Sequence, residues 1–315
     1  MKKLIFILII LFSFISINEI SAQVYSLTND KSSAKIDNTD GVIKFRNNRA
    51  IQGMPDTIGG RVEFLDNSMS NYQVIPNVTY FQLYILGQTQ SIVDSLWNAS
   101  STKPLVVRDT LKIDNKAYVR LDTAGIDTKS TVINTARVVG KNDLKLAGDA
   151  NSQDVVGNGE FHNLNLDNVR GADVREGGGF RVTKKLELTR GELRNDTANN
   201  FTMSDSSLIV RHVGASLQHE PVFERSVSVK YVGTGSLVAG GEIPTDSSVL
   251  QTLLVQNTGG VTLTKNTTVN DSLFIGSNIY TEPGNDTVPK YILTLASEKN
   301  PVFDAVYAEI GRAHV

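Results

Sequence analysis

Three observations predict an all-β chain built as a parallel β-helix, a β-solenoid of short strands joined by Asn-, Gly- and Thr-rich turns. First, no window past the N-terminal apolar run keeps apolar residues at i, i+3, i+4 and i+7 for three turns. Second, short apolar–polar alternations fill the chain, separated by Gly, Asn, Asp, Ser or Thr. Third, apolar anchors recur at the spacing of a solenoid coil: Leu164, Leu186 and Leu208 lie 22 residues apart. Two β-sandwich domains in tandem would give the same alternation, and only the repeat favours the solenoid.

The chain opens with a basic Met1-Lys2-Lys3, an apolar run from Leu4 to Ile17, and small residues at Ser21-Ala22. This is the pattern of a secretory signal peptide over 1–22, shorter than a stable membrane span. No Cys follows the cleavage point, which excludes a lipid-anchored lipoprotein. No later run reaches the roughly 20 apolar residues of a spanning helix. Cysteine is absent throughout, so the fold gains nothing from disulfides and has no thiolate ligand or nucleophile. A net charge of −2 gives no electrostatic reason to expect nucleic acid or anionic lipid as partner.

Residues 23–57 read as an N-terminal capping segment and 58–308 as the solenoid. The last residues, Glu309-Ile-Gly-Arg-Ala-His-Val315, interrupt a strand-like segment without a turn signal. Back-translated, they resemble the read-through of a short-read sequencing adapter. Residues 309–315 are therefore expected to be an artefact, and His314 enters no argument about function.

Between those ends, strands are expected at Val42–Phe45, Arg61–Leu65, Tyr80–Leu86, Leu105–Val107, Thr110–Ile113 and Tyr118–Leu121. They continue at Asp143–Leu146, Ser207–Val210, Ser226–Val232, Leu250–Val255, Gly260–Leu263, Ser272–Ile275 and Tyr291–Leu295. Three blocks align as a longer repeat: Tyr80-Phe-Gln-Leu-Tyr-Ile, Phe161-His-Asn-Leu-Asn-Leu and Leu250-Gln-Thr-Leu-Leu-Val, 81 and 89 residues apart. Phe161, Leu164 and Leu166 are the inward candidates, with Asn163 or Asn168 at the turn. Strict alternation would send Phe161 and Leu164 to opposite faces, so a bulge near His162 is required if both are buried.

Gly60-x-Val-Glu-Phe, Gln73-Val-Ile-Pro, Phe161-x-Asn-Leu-x-Leu and Leu253-Leu-Val-x-Asn followed by Gly260-Val-Thr-Leu carry a family resemblance. The pattern resembles the repetitive β-solenoid regions of large surface proteins secreted by Bacteroidota, over roughly Ile58 to Leu295. That resemblance implies a fragment of a larger protein, with a C-terminal signal for type IX secretion beyond the residues given. It also implies periplasmic O-glycosylation at a recurrent Asp-(Ser/Thr)-apolar motif. The acceptors would be Thr57, Ser95, Thr110, Thr123, Thr197, Ser272 and Thr287. The same dipeptide is also what a turn entering a strand looks like.

No residue is assigned a catalytic, cofactor-binding or metal-binding role. His212 and His219 lack a familiar ligand spacing, and His162 should point outward from its strand. Gly177–Gly179, Gly240-Gly241 and Gly259-Gly260 read as turns, because no helix start follows to hold a phosphate. Asp143, Asp149 and Asp154 lack the regular spacing of a calcium-binding repeat. Basic residues Arg170, Arg175, Arg181, Lys184, Lys185 and Arg190 interleave with Asp167, Asp173, Glu176, Glu187 and Glu192, the signature of a solvated face.

The expected function is a non-enzymatic structural or adhesin-like segment of a cell-surface protein, displaying loops near Ala172–Gly179 and Thr281–Lys290. Its partners would be extracellular glycans or surface proteins. The alternative is a carbohydrate-active β-helix, lyase-like or polysaccharide-binding, with Arg175, Lys184 and Lys185 as the first places to look. That analogy comes from fold and transfers no function. A carbohydrate-binding sandwich would use Trp97 and Tyr84 as aromatic platforms.

Overall fold

The computed structural model describes residues 36–37, 42–46, 57–66, 74–87, 94–96, 103–114, 116–122, 124–175, 179–196, 198, 200–281, 291–296 and 302–303. Residues 1–22 and 309–315 lie outside them. Among the described residues there is no helix, and every strand pairing but one is parallel. The exception is Ile36–Asp37, which runs antiparallel to Val42–Arg46. The chain is a β-solenoid, and the tandem-sandwich alternative falls because sandwiches pair their strands antiparallel.

One column of inward side chains defines the first face. Leu105, Ile126, Leu144, Leu164, Leu186, Ile209, Val229, Leu253 and Leu273 stack in register, each paired with the next. All nine are buried. Successive rungs are 18 to 24 residues apart, which is one coil. Each strand is too short to bury anything alone. Stacking removes each Leu or Ile from water, at about 1.5–3 kcal/mol per side chain.

A second inward column runs two residues further along each strand: Ile58, Tyr80, Val107, Thr128, Leu146, Leu166, Leu188, Arg211, Tyr231, Val255 and Ile275. Two of its positions are polar, and both are buried. Thr128 Oγ1 donates to Lys145 O at 3.1 Å. Arg211 is taken up below.

The second face carries the column Val62, Leu83, Leu111, Val132, Val155 and Val174. The third carries Val119, Val138, Phe161, Val182, Met203 and Phe223. Inside the third-face corner, the Phe161 and Phe180 rings meet edge to face at 5.4 Å, and Phe180 stacks on Phe201 at 5.0 Å. Long strands turn corners without breaking: Glu160–Asp167 and the 14-residue Arg181–Arg194 each serve more than one face.

The corners are built by asparagine and glycine. Asn168 and Asn257 each lie two residues past the second inward column, and both are buried. Asn168 Oδ1 accepts from Arg170 N at 2.9 Å, and Asn257 Oδ1 from Gly259 N at 3.2 Å. The backbone closes with Gly171 N donating to Asn168 O and Gly260 N to Asn257 O. Gly171 and Gly260 sit at φ +80° and +79°, where a side chain would be strained. The corner is thus a repeated Asn-x-x-Gly turn in which the side chain bonds its own backbone.

Several expectations about the repeat change. Leu164 and Leu253 do share a column, but Leu83 lies on the second face, paired with Leu111. The Tyr80 block is therefore displaced by one face, and the 81- and 89-residue spacings are not a structural unit. The unit is the single coil. Leu208 is not the rung after Leu186; Ile209 is, while Leu208 pairs with Lys185 and is half-buried. The phase change at His162 is real. Phe161 and Leu164 are both fully buried, and the register slips between Phe161 and Asn163 where the strand rounds a corner. Asn163, also buried, donates there to Gly140 O and Lys141 O at 3.2 Å.

Candidate functional site

Outward side chains must also stack in register, about 4.8 Å from their neighbours. Like charges so placed would repel. On the first face the outward column reads Asp127, Lys145, Asn165, Glu187, Val210, Lys230, Leu254 and Phe274. On the third it begins Tyr118, Arg137, Glu160 and Arg181. On the second, Asp154 and Asp173 adjoin, and Arg175 and Arg194 neutralise them. Opposite charges thus meet between coils.

The densest grouping is on the first face. Lys185 Nζ lies 3.2 Å from Asp143 Oδ1 and 2.8 Å from Glu187 Oε2. Glu187 Oε1 lies 3.0 Å from His212 Nε2. Lys145 Nζ is 3.6 Å from Asp167, and Thr189 Oγ1 donates to Asn165 Oδ1 at 3.0 Å. Partial burial acts to lower the Lys185 pKa, but its hydrogen bonds and charge contacts with Glu187 and Asp143 outweigh that and hold it above the usual lysine value. Partial burial acts to raise the Glu187 pKa, and Lys185 with His212 overcomes it, leaving the carboxyl below its ordinary value. Both groups are therefore fixed in their charged forms near neutrality. A lysine so held is a poor general base, because proton abstraction needs a pKa near the working pH.

Of the other first places to look, Arg175 is exposed and bonded to Asp154 at 2.7 Å. Lys184 is exposed and depresses the pKa of His162, after partial burial as the larger cause. His162 Nδ1 lies 3.0 Å from Thr183 Oγ1. His219 is exposed. Asp143, Asp149 and Asp154 are not brought together: Asp143 meets Lys185, Asp149 lies 3.9 Å from Arg190, and Asp154 pairs with Arg175. Tyr84 is half-buried, with the Arg61 guanidinium 4.6 Å from its ring centroid and the Lys112 ammonium at 5.9 Å. Trp97, Gly177 and Gly178 lie outside the described residues. Ala172–Val174 is a second-face strand rather than part of a loop, and of Thr281–Lys290 only Thr281 is described.

Among the glycosylation-like positions, Thr57 is exposed at the start of a strand. Ser95 lies in the strand Asp94–Leu96. Thr110 and Ser272 are half-buried, and each hydroxyl donates to the preceding carboxylate, Asp109 at 3.3 Å and Asp271 at 2.9 Å. That is the turn-into-strand geometry. Thr123, Thr197 and Thr287 lie outside the described residues.

Alternation did not reveal a charged cluster inside the core. Arg211 takes an inward rung between Leu188 and Tyr231. Its partner is Glu242, whose side chain is fully buried, in the segment 239–249 where this coil has no third-face strand. Glu242 Oε1 accepts from Arg211 Nη1, from Tyr231 OH at 2.8 Å and from Gly240 N at 2.9 Å. Arg211 Nε donates to Ala215 O at 2.8 Å. Burial first, and the adjacent Glu242 carboxylate second, push the Tyr231 phenol well above its usual pKa. The only sequence signal is parity: Arg211 is two residues past Ile209 and must share its face. Comparison of the chain with protein-family models, with curated proteins and with solved structures finds no match.

Proposed function

We propose that this chain is a non-enzymatic structural or adhesin-like segment of a larger cell-surface protein, exported by residues 1–22. It acts as a stiff rod that presents its outer faces to extracellular glycans or surface proteins. The observation that carries this reading is the unbroken inward column from Leu105 to Leu273, flanked by ion pairs that join neighbouring coils, Arg137–Glu160, Arg175–Asp154 and Arg194–Asp173. Nine rungs span roughly 38 Å at about 4.8 Å each. A shaft of this kind resists bending because every coil shares backbone bonds with both neighbours. Surface proteolysis of intact cells of the native host, followed by an antibody to the solenoid, tests it. Loss of signal without lysis is expected; protection until lysis would overturn the reading.

A second reading, a carbohydrate-active β-helix, draws on Lys185 lying between Asp143 and Glu187 on one face. The charged state of that lysine argues against lyase chemistry and leaves polysaccharide binding as its stronger form. Incubation with acidic polysaccharides separates the two readings, since lyase activity would release unsaturated, ultraviolet-absorbing ends. Glycosylation at the Asp-(Ser/Thr)-apolar positions belongs to the same proposal. An intact mass from the native host above that of the bare polypeptide is expected.

A further inference from the structure

The backbone of the strand Ala215–Leu217 is only half used. It pairs with Arg181–Arg194 in the coil before, and with no strand of the coil after it among the described residues. Buried backbone carbonyls need partners. Arg211 Nε supplies one for Ala215 O at 2.8 Å. Leu217 O is the next carbonyl on that side of the strand.

Glu242 has the complementary problem. Three donors converge on Oε1, while Oε2 is buried and receives no hydrogen bond. A buried carboxylate oxygen without a donor is strongly disfavoured, and native proteins satisfy nearly all such atoms with protein or solvent.

The two needs meet at one point. A Cβ placed on Gly240 would lie 3.2 Å from Glu242 Oε2, 3.4 Å from Arg211 Nη1 and 3.5 Å from Leu217 O. Two acceptors and one charged donor therefore gather on the same side of the Gly240 Cα. The Arg211 and Glu242 charges cancel, so the fitting ligand is neutral, small, and able to give two hydrogens while taking one. A cation would face the Arg211 guanidinium, and an anion the Glu242 carboxylate.

We infer that one water molecule is bound in the solenoid core beside Gly240, donating to Glu242 Oε2 and Leu217 O and accepting from Arg211 Nη1. Three bonds, one of them to the otherwise unbonded Glu242 Oε2, are the usual complement of a buried water. This water continues, across the gap after Ala215–Leu217, the bonding that a strand would have made. A side chain at Gly240 would crowd Glu242 Oε2 and Arg211 Nη1, two of the atoms that hold the water.

A crystal structure of the full chain at about 1.5 Å resolution tests this. One solvent peak is expected about 2.7–3.2 Å from the three named atoms. No peak, a protein donor on Oε2, or a peak with several oxygens at about 2.4 Å as for a hard cation would each overturn it. In Gly240→Ala the peak should vanish and Tm should fall; a peak retained beside the methyl group would also overturn the inference.

Discussion

Replacing Arg211 with leucine would remove the cation from a core rung while leaving Glu242 fully buried behind it. The carboxylate would keep Tyr231 OH and Gly240 N as donors but lose its counter-charge. Removing one partner of a buried pair costs about 3–5 kcal/mol, because the other charge is stranded. Ala215 O loses its donor as well, adding about 1–3 kcal/mol for an unsatisfied buried acceptor. Arg211→Leu is therefore expected to lose at least about 4 kcal/mol. The double variant Arg211→Leu, Glu242→Gln removes both charges, and with them the stranded-charge cost, while the amide oxygen still accepts from Tyr231 OH and Gly240 N. The Ala215 deficit and any packing mismatch should then remain, about 1–3 kcal/mol. Urea unfolding, read with hydrogen exchange across 207–217 because repeat arrays can unfold piecemeal, gives both values. If the double variant is as unstable as the single one, the stranded Glu242 charge is not what destabilises Arg211→Leu, and the reasoning is wrong.

Leu164→Ala should cost about 2–5 kcal/mol by opening a cavity in the first-face column, measured by the same unfolding. Two glycines at nearly the same φ separate strain from space. A Cβ at Gly191 would lie 1.9 Å from Asn168 O, whereas at Gly214 it meets nothing within 4 Å. Gly191→Ala is expected to lower Tm far more than Gly214→Ala, whose cost is limited to about 1–2 kcal/mol of backbone strain. Acid should loosen the outer faces. Asp173 is held below its ordinary value, first by its hydrogen bond with Arg194, and Glu187 is also depressed. Groups with depressed native pKa values stabilise the fold above their unfolded values, about 3.9 and 4.3, and lose that contribution as pH falls through the native ones. Partial burial raises Asp127 and gives it the opposite sign. His162, held below its ordinary value, should start a small decline as pH falls below about 6.5. The carboxylates should add a steeper one below about pH 4, and Asp173→Asn should flatten that steeper part in a pH series of melting curves.

The fold was legible because a solenoid repeats its local rule in every coil. Phe161, Leu164 and Leu166 were recognisable as inward, and the phase change at His162 followed from burying both Phe161 and Leu164. The longer alignment misled because corners absorb different numbers of residues. Val182 is four residues before its first-face rung, and Phe161 is three before its own. A fixed offset therefore slides from one face to another, as it did for Tyr80. The Lys185 grouping was half legible. Its mixed charges were visible, but not that Asp143, two coils away, completes it. The Arg211–Glu242 pair was hidden for a physical reason. A charged residue at an inward position is admissible only if its counter-ion arrives from another coil, and Glu242 comes 31 residues later in a Gly-Gly turn that reads as surface.

The aligned columns also govern how such a chain can change length. Removing or adding one residue within a strand would turn over the rest of that strand, leucines outward and charged side chains inward, until a corner absorbed the change. Removing one whole coil, from Leu144 through Asn163, would instead set Ile126 directly against Leu164, with the faces preserved. Asp127 would then face the uncharged Asn165 in place of Lys145, losing one opposite charge but meeting no like charge. Lineages carrying this chain should therefore differ by insertions and deletions of whole coils, so that the shaft grows or shrinks in steps of one layer while its surface chemistry stays in phase.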